Sequence, residues 1–251
     1  FYLGGSIMRI KMILPVPMPD QALEAFAAQI PPALRREDVQ VDFCAPSRGG
    51  RILDSYYEMT LADAFVLEKG MTSESEGYDA VCVNSMSDSA LNALRSRLSI
   101  PVVGPAQASF CYALMLGETF TVLTMWEQWF PLYKKVVREL GIQARLASIR
   151  AIGVRPDAQE LLSGKEDVVF ELLEREARAA IDNDGADTLI LGSTTMHQSH
   201  SYLVSKLEVP ILNPGLIALK VCENLVELGI AHSKAAYRGP EVISDDAFWI
   251  R

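Results

Sequence analysis

Two serines stand where apolar runs stop. Ser85 follows "DAVCVN" (79–84), and Ser193 follows "DTLILG" (187–192). Each run reads as a short buried strand, and each delivers a hydroxyl-rich segment, "NSMSD" and "GSTTMHQSH". A serine placed there has three chemical uses. It donates a hydrogen bond to a carboxylate or a developing enolate, it caps a helix, or it attacks as a nucleophile once a base takes its proton. His197 follows Ser193 by four residues and is expected one helical turn along from it, as candidate base or proton carrier. Asp88 follows Ser85 by three. "SMSD" fits an N-terminal capping box, and a carboxylate base is the alternative use of Asp88.

The two serines belong to a repeat. "YDAVCVNSMSDSALNALRSRLSIPVVGPAQA" (78–108) aligns with "ADTLILGSTTMHQSHSYLVSKLEVPILNPGLIA" (186–218). Asp79 matches Asp187, Ser85 matches Ser193, Leu98 matches Leu207, Pro101 matches Pro210 and Pro105 matches Pro214. Two strand–turn–helix–strand units about 110 residues apart imply two similar α/β halves. In open parallel sheets, ligands bind at the carboxyl ends of strands. If the halves face each other across a pseudo-twofold axis, Ser85 and Ser193 approach one ligand from opposite sides. The amides of Met86, Ser87, Thr194 and Thr195 would then complete an anion nest at each expected helix start.

The rest of the chain must position those turns. Strand-like runs fall at 9–14, 39–44, 79–84, 101–103, 119–124, 146–152, 187–192 and 210–212. Helix-like segments lie between them, including "QALEAFAAQI", "ALNALRSRL", "PLYKKVVRELG" and "VFELLEREARAAIDNDG". Alternating β and α with continuously apolar strands predicts parallel sheets covered on both faces. The expected division is 8–105 with about 215–237 as one lobe and 106–214 as the other. "FYLGGSI" (1–7) reads as a remnant ahead of a natural start at Met8.

The 251 residues are 49% hydrophobic and 22% charged, the composition of a globular protein. A net charge of −9 argues against nucleic acid or an anionic membrane as a partner. No signal peptide and no run long enough to span a bilayer is seen, so a cytoplasmic location is expected. Cys44, Cys82, Cys111 and Cys222 lack metal-like spacing and are expected to be buried free thiols. No G-x-G-x-x-G follows a strand, so a nicotinamide cofactor is not expected.

The segments "RILDSYYEMTLADAF", "IPVVGPAQAS", "FTVLTMWEQWFPLYKKVVRELG", "RLASIRAI" and "LILGSTTM" resemble the aspartate/glutamate racemase superfamily, closest to its hydantoin racemase branch. The likeness runs from Met8 to about Tyr237. It implies an α/β fold of two pseudo-symmetric Rossmann-like lobes, with the active site in the cleft and no cofactor. It also implies a small carboxylate or cyclic amide as substrate, and a homo-oligomer is expected. In the racemases two cysteines flank the acidic carbon, one removing the α-proton and the other returning one. The resemblance puts Ser85 and Ser193 at those positions. "LPVPMP" (14–19) stands where the hydantoin branch usually carries an Asn-Pro-Asn-like stretch.

Serine for cysteine changes the chemistry. A thiol titrates near 8.5 and an aliphatic hydroxyl near 15.7, a gap of roughly 7 units or about 10 kcal/mol. Helix dipoles and backbone donors recover only a few kcal/mol of that. Ser85 and Ser193 therefore read as hydrogen-bond donors flanking the acidic carbon, with His197 as proton carrier. The remaining expected contacts are Asn84 at a strand end, Tyr57 in a loop facing the site, and Thr124 with Trp126 at the end of "TVLT". His200, His232, Gln107 and Asn213 are minor candidates, His232 as a helix C-terminal residue. The reading is an isomerase of the racemase or epimerase type. The alternatives are a decarboxylase or lyase on the same scaffold, and a binding protein without turnover.

Overall fold

The structure, a computed structural model, describes residues 7–156, 166–194 and 196–248. The chain divides into two compact units. One comprises the chain up to Gly104 and from Ala218 onward, the other Pro105–Ile217.

In the first unit the strands are β1 (Met8–Ile13), β2 (Val39–Cys44), β3 (Ala80–Val83) and β4 (Val102–Val103). They form one parallel sheet in the order β2-β1-β3-β4. Its helices are α1 (Asp20–Ala28), α2 (Tyr56–Gly70) and α3 (Leu91–Arg97). In the second unit β5 (Phe120–Thr124), β6 (Leu146–Ala151), β7 (Thr188–Leu191) and β8 (Ile211–Leu212) form a parallel sheet in the order β6-β5-β7-β8. The helices α4 (Pro105–Leu116), α5 (Phe130–Leu140), α6 (Glu166–Asp184) and α7 (His197–Val204) belong to it. The helix α8 (Pro214–Glu227) contains the point at which the chain passes back to the first unit.

Both sheets thus have one order, edge–centre–centre–edge, with the same crossover pattern. All eight strand-like runs are strands. The central strands β3 and β7 are buried along their whole length, as strands covered on both faces are, whereas the edge strands β2 and β6 are only partly buried and carry Gln40, Asp42 and Arg150. Val81, Cys82 and Val83, and likewise Leu189, Ile190 and Leu191, are almost wholly buried. On α6 it is Leu173, Ala177 and Ala180, at spacings of four and three, that face the core. The repeat-matched aspartates do the same work in each unit. Asp79 accepts from the Arg9 amide at 2.8 Å, and Asp187 accepts from the Glu118 amide at 2.7 Å, each tying a strand start to its neighbour.

The cysteine expectation needs correction. Cys82 and Cys222 are buried and Cys44 is half-buried, but Cys111 is exposed. It lies on α4, which is apolar on every side, so neighbouring hydrophobicity does not mark its inner face. Among the described residues no helix is long and apolar enough to cross a membrane.

Candidate active site

In a sheet of order 2-1-3-4, chain progression reverses between the two central strands, and that switch point is where such sheets leave room for a ligand. Ser85 lies just beyond β3 at the first switch point, and Ser193 just beyond β7 at the second. Each is set there by one ladder bond past the strand. The Asn84 amide donates to Ile13 at 2.8 Å, and the Gly192 amide donates to Leu123 at 2.7 Å.

The first turn is longer than the sequence implied. α3 begins at Leu91, six residues after Ser85, and its N-cap is Ala90 without a side-chain cap. "SMSD" is therefore not a capping box. The chain instead passes through two left-handed non-glycine residues, Asp88 (φ 49°) and Ala90 (φ 57°). Such residues need support from their surroundings. Asp63 of α2 supplies some of it, accepting from the Ala90 amide at 2.9 Å. Gly104 supplies more: a Cβ there would lie 2.5 Å from the Asp88 carboxyl carbon, so only glycine leaves that carboxylate its place.

Within the turn three hydroxyls line up. Ser85 Oγ is 2.8 Å from Ser87 Oγ, and Ser87 Oγ is 2.6 Å from Ser89 Oγ. Ser85 Oγ also accepts from the Ser87 amide at 3.2 Å. Ser85 retains 8% exposure, whereas Ser87 and Ser89 are at 1% and 0%. Asn84 and Met86 are buried beside them.

The second turn is built differently. Ser193 is partly exposed and Thr194 is buried. Thr195 lies outside the described residues. The carbonyl of Gly192 accepts from the Tyr133 hydroxyl at 2.7 Å, and that hydroxyl also sits 2.7 Å from Thr124 Oγ1. Tyr133 and Thr124 are fully buried. Burial pushes the Tyr133 phenol far above its usual range, so it stays a neutral donor. A Cβ on residue 192 would fall 2.7 Å from both Tyr133 Oη and Thr124 Cβ, which reserves Gly192 for glycine.

Several expectations shift. α7 begins at His197, so His197 opens the helix rather than lying one turn along a helix shared with Ser193. Tyr57 is not in a loop. It sits in the first turn of α2 and is 72% exposed. Trp126 precedes a short 3-10 turn (Glu127–Trp129), packs against the second unit's core, and carries the Arg155 guanidinium 5.7 Å from its ring centre. Asn213 lies before α8 and accepts from the Leu216 amide at 3.4 Å, and Gln107 lies on α4. The Nε2–H of His200 donates to the Ile211 carbonyl at 3.0 Å. His232 lies beyond the end of α8 and is not a helix C-terminal residue. Its Nε2 accepts from the Val102 amide at 2.8 Å, completing the edge strand β4. Burial, together with the nearby Arg95 charge, lowers its pKa to about 4. Among the described residues no three His, Cys, Asp or Glu side chains gather as metal ligands.

Tyr133, Asp63, Gly104 and Ser89 were not foreseen as site residues. Only Ser89 had a visible signal: it is the third hydroxyl at a spacing of two, Ser85, Ser87 and Ser89.

Two parallel sheets of one order, each ending at its switch point in a hydroxyl-bearing turn, define a duplicated α/β class of small-molecule protein. Residues 21–222 match the Asp/Glu/hydantoin racemase family. The hydantoin racemase of Pseudomonas sp. (strain NS671) is 31% identical over 209 residues, 82% of each chain. The chain belongs to this family. Among solved structures, the allantoin racemase from Klebsiella pneumoniae superposes with a TM-score of 0.84 at 25% identity, over 94% of this chain and 95% of that one. The allantoin racemase of Pseudomonas fluorescens gives 0.83 at 26% identity, over 94% and 99%.

Proposed function

We propose that this chain is a cofactor-independent racemase, inverting an acidic carbon in a small hydantoin- or allantoin-type cyclic amide or a related carboxylate. The observation that carries the reading is the match to hydantoin and allantoin racemases over most of the chain, in sequence and in backbone. The carbon to be inverted must be intrinsically acidic, because serines at 85 and 193 stand where the racemases carry thiols. Ser85 and Ser193 serve one substrate as donors to its carbonyl or enolate oxygens. The amides of Met86, Ser87, Thr194 and Thr195 join them, and Asn84 donates to a ring carbonyl. His197 carries the proton, and Tyr57 and Trp126 contribute apolar contact. Thr124 acts behind the turn, through Tyr133.

We read the protein as cytoplasmic and homo-oligomeric. Free thiols favour a reducing compartment. Leu114, Met115 and Leu116 at the end of α4 are 37%, 70% and 51% exposed, an apolar edge suited to self-association. Light scattering of the eluting protein reads the oligomeric state.

Solvent deuterium incorporation tests the function. The protein is incubated in D2O with allantoin, 5-substituted hydantoins, amino acids and 2-substituted malonates, and followed by NMR. Exchange at the α-carbon without loss of mass establishes the racemase reading, and Ser85→Ala, Ser193→Ala and His197→Ala assign the roles. Release of carbon dioxide makes the protein a decarboxylase. Binding without exchange across the panel sinks turnover on these substrates.

A further inference from the structure

The loop that leaves β2 at the carboxyl edge of the first sheet folds back along α2 and is fastened to it twice. At one end Arg48 Nη2 donates to Glu68 at 3.2 Å, and its guanidinium lies 5.1 Å from the Phe65 ring centre. Gly49 (φ 146°) brings its backbone against the same ring. At the other end the Glu58 carboxylate accepts from the Arg51 amide at 2.5 Å and from the Ile52 amide at 3.1 Å. Glu58 and Glu68 stand ten residues apart on the helix, about 15 Å.

The second fastening has the form of an anion site. Successive amides that end in a left-handed residue turn their N–H groups toward one point, a nest that binds a carboxylate or a phosphate. Here Leu53 is that residue (φ 54°), and it is buried. Leucine adopts such a backbone only where its surroundings hold it. Gly50 clears the approach, because a Cβ there would overlap Glu58 Oε2 and lie 2.9 Å from Glu58 Cδ. Burial raises the Glu58 pKa, but the amides of Ile52, Arg51 and Leu53 together outweigh it and hold the carboxyl below its ordinary range. The occupant of the nest is therefore ionised at neutral pH, and it comes from the chain's own helix.

We propose that Glu58 is a positioning residue: its carboxylate takes the place of a bound anion in the nest at 50–53, and so holds this loop and the neighbouring Tyr57 at the rim of the first sheet for substrate binding. The inference rests on the proposed function, which gives Tyr57 a contact with the substrate. Tyr57 is 72% exposed and directly precedes Glu58 in the first turn of α2, so its own packing does not fix the rim. The carboxylate ties the start of the helix to the loop instead, through charge-assisted bonds roughly twice as strong as neutral ones.

Two experiments decide it. The first is thermal unfolding, which needs no substrate. Glu58→Ala should lower the melting temperature by roughly 3–10 °C, through the loss of two charge-assisted hydrogen bonds at a half-buried place. Sodium formate should then refill the nest. It should raise the melting temperature of Glu58→Ala by at least about 2 °C more than that of wild type, with sodium chloride at equal ionic strength as the reference. Formate acting equally on both proteins overturns the proposal. Gly50→Ala gives a second reading: it displaces the carboxylate, so it should cost much less in the Glu58→Ala background than in wild type, and equal costs overturn the nest. The second experiment uses whichever substrate shows exchange. Glu58→Ala should raise KM about three- to tenfold with kcat little changed, the cost of ordering rim side chains on binding. Formate should reverse that rise, and in the Tyr57→Ala background Glu58→Ala should add nothing. An unchanged KM, or equal effects in both backgrounds, overturns the positioning role. Should the wild-type protein exchange nothing, the racemase reading fails by itself, and the formate shift still decides whether Glu58 fills an anion nest.

Discussion

Replacing Tyr133 by Phe removes one oxygen from a place that water does not reach. The hydroxyl holds the Gly192 carbonyl and Thr124 Oγ1, both at 2.7 Å, and Tyr133 and Thr124 are wholly buried. Phe keeps the ring and its packing, so the loss is the hydroxyl alone. Two hydrogen bonds contribute about 1 kcal/mol each, and a carbonyl left without its donor adds to that, giving about 2–3 kcal/mol in all. For a chain of this size the melting temperature should fall by roughly 5–10 °C. Gly192 leads directly into Ser193, so its carbonyl sets where that turn begins. A drift on the order of 1 Å in a positioned group costs up to about a hundredfold in rate. The expected result for Tyr133→Phe is therefore a kcat lowered about 10- to 100-fold, with KM changed much less. Calorimetry reads the first quantity, and α-proton exchange in D2O reads the second. A lowered melting temperature with kcat within about twofold of wild type would refute the claim that the phenol positions Ser193. An unchanged melting temperature would refute the hydrogen-bond reasoning itself. Adding Gly192→Ala sharpens the test: its Cβ would meet Tyr133 Oη at 2.7 Å, so the double variant should lose less stability than the two single losses together.

Three further outcomes are expected. The His232 pKa is lowered to about 4, chiefly by burial and then by Arg95, so the neutral ring stabilises the fold fully above pH 6.5, and that contribution is lost as pH falls toward 4. The shift corresponds to at most about 3 kcal/mol, and to roughly 1–2 kcal/mol once partial exposure is allowed for. His232→Gln, which retains an acceptor for the Val102 amide without titrating, should flatten the melting temperature across that window. Gly104→Ala should destabilise by about 1–3 kcal/mol, because its Cβ meets the Asp88 carboxylate. Asp88→Gly should recover part of that by removing the carboxylate and relieving the positive φ, as thermal unfolding would show. Ser85→Cys with Ser193→Cys brings the two groups down by roughly 7 pK units and should raise α-proton exchange by at least about tenfold; no rise would argue that the two turns do not flank the reacting carbon.

The central strands were legible because burial on both faces leaves little room for polar residues. Strand ends were legible for the same reason, and so Ser85 and Ser193 could be placed beside them. The turns that follow were not. Left-handed backbone usually announces itself through glycine, but here Asp88 and Ala90 adopt it, held by Asp63 and Gly104 from elsewhere in the sequence. Contacts of that kind carry no local pattern. The start of α2 was legible and missed. "SYYE" (55–58) is a Ser-x-x-Glu cap signal, and Ser55 Oγ does accept from the Glu58 amide at 3.3 Å, which puts Tyr57 on a helix. The Glu58 side chain, which would complete such a box, turns instead to the Arg51 and Ile52 amides. Tyr133 was hidden by its setting, since a tyrosine in "FPLYKK" reads as core or surface until its hydroxyl is seen against Gly192.

The two turns are repeats by position and strangers by construction. One is backed by a row of hydroxyls, the other by a single phenol gripping a glycine carbonyl. A racemase interconverts the two hands of one molecule, with an equilibrium constant of one. Thermodynamics then fixes kcat/KM as equal for the two enantiomers, whatever the protein does. It leaves kcat and KM free to differ, provided they differ in proportion. A duplicated scaffold with unlike turns therefore builds an enantiomeric preference into occupancy and turnover while leaving the position of equilibrium untouched.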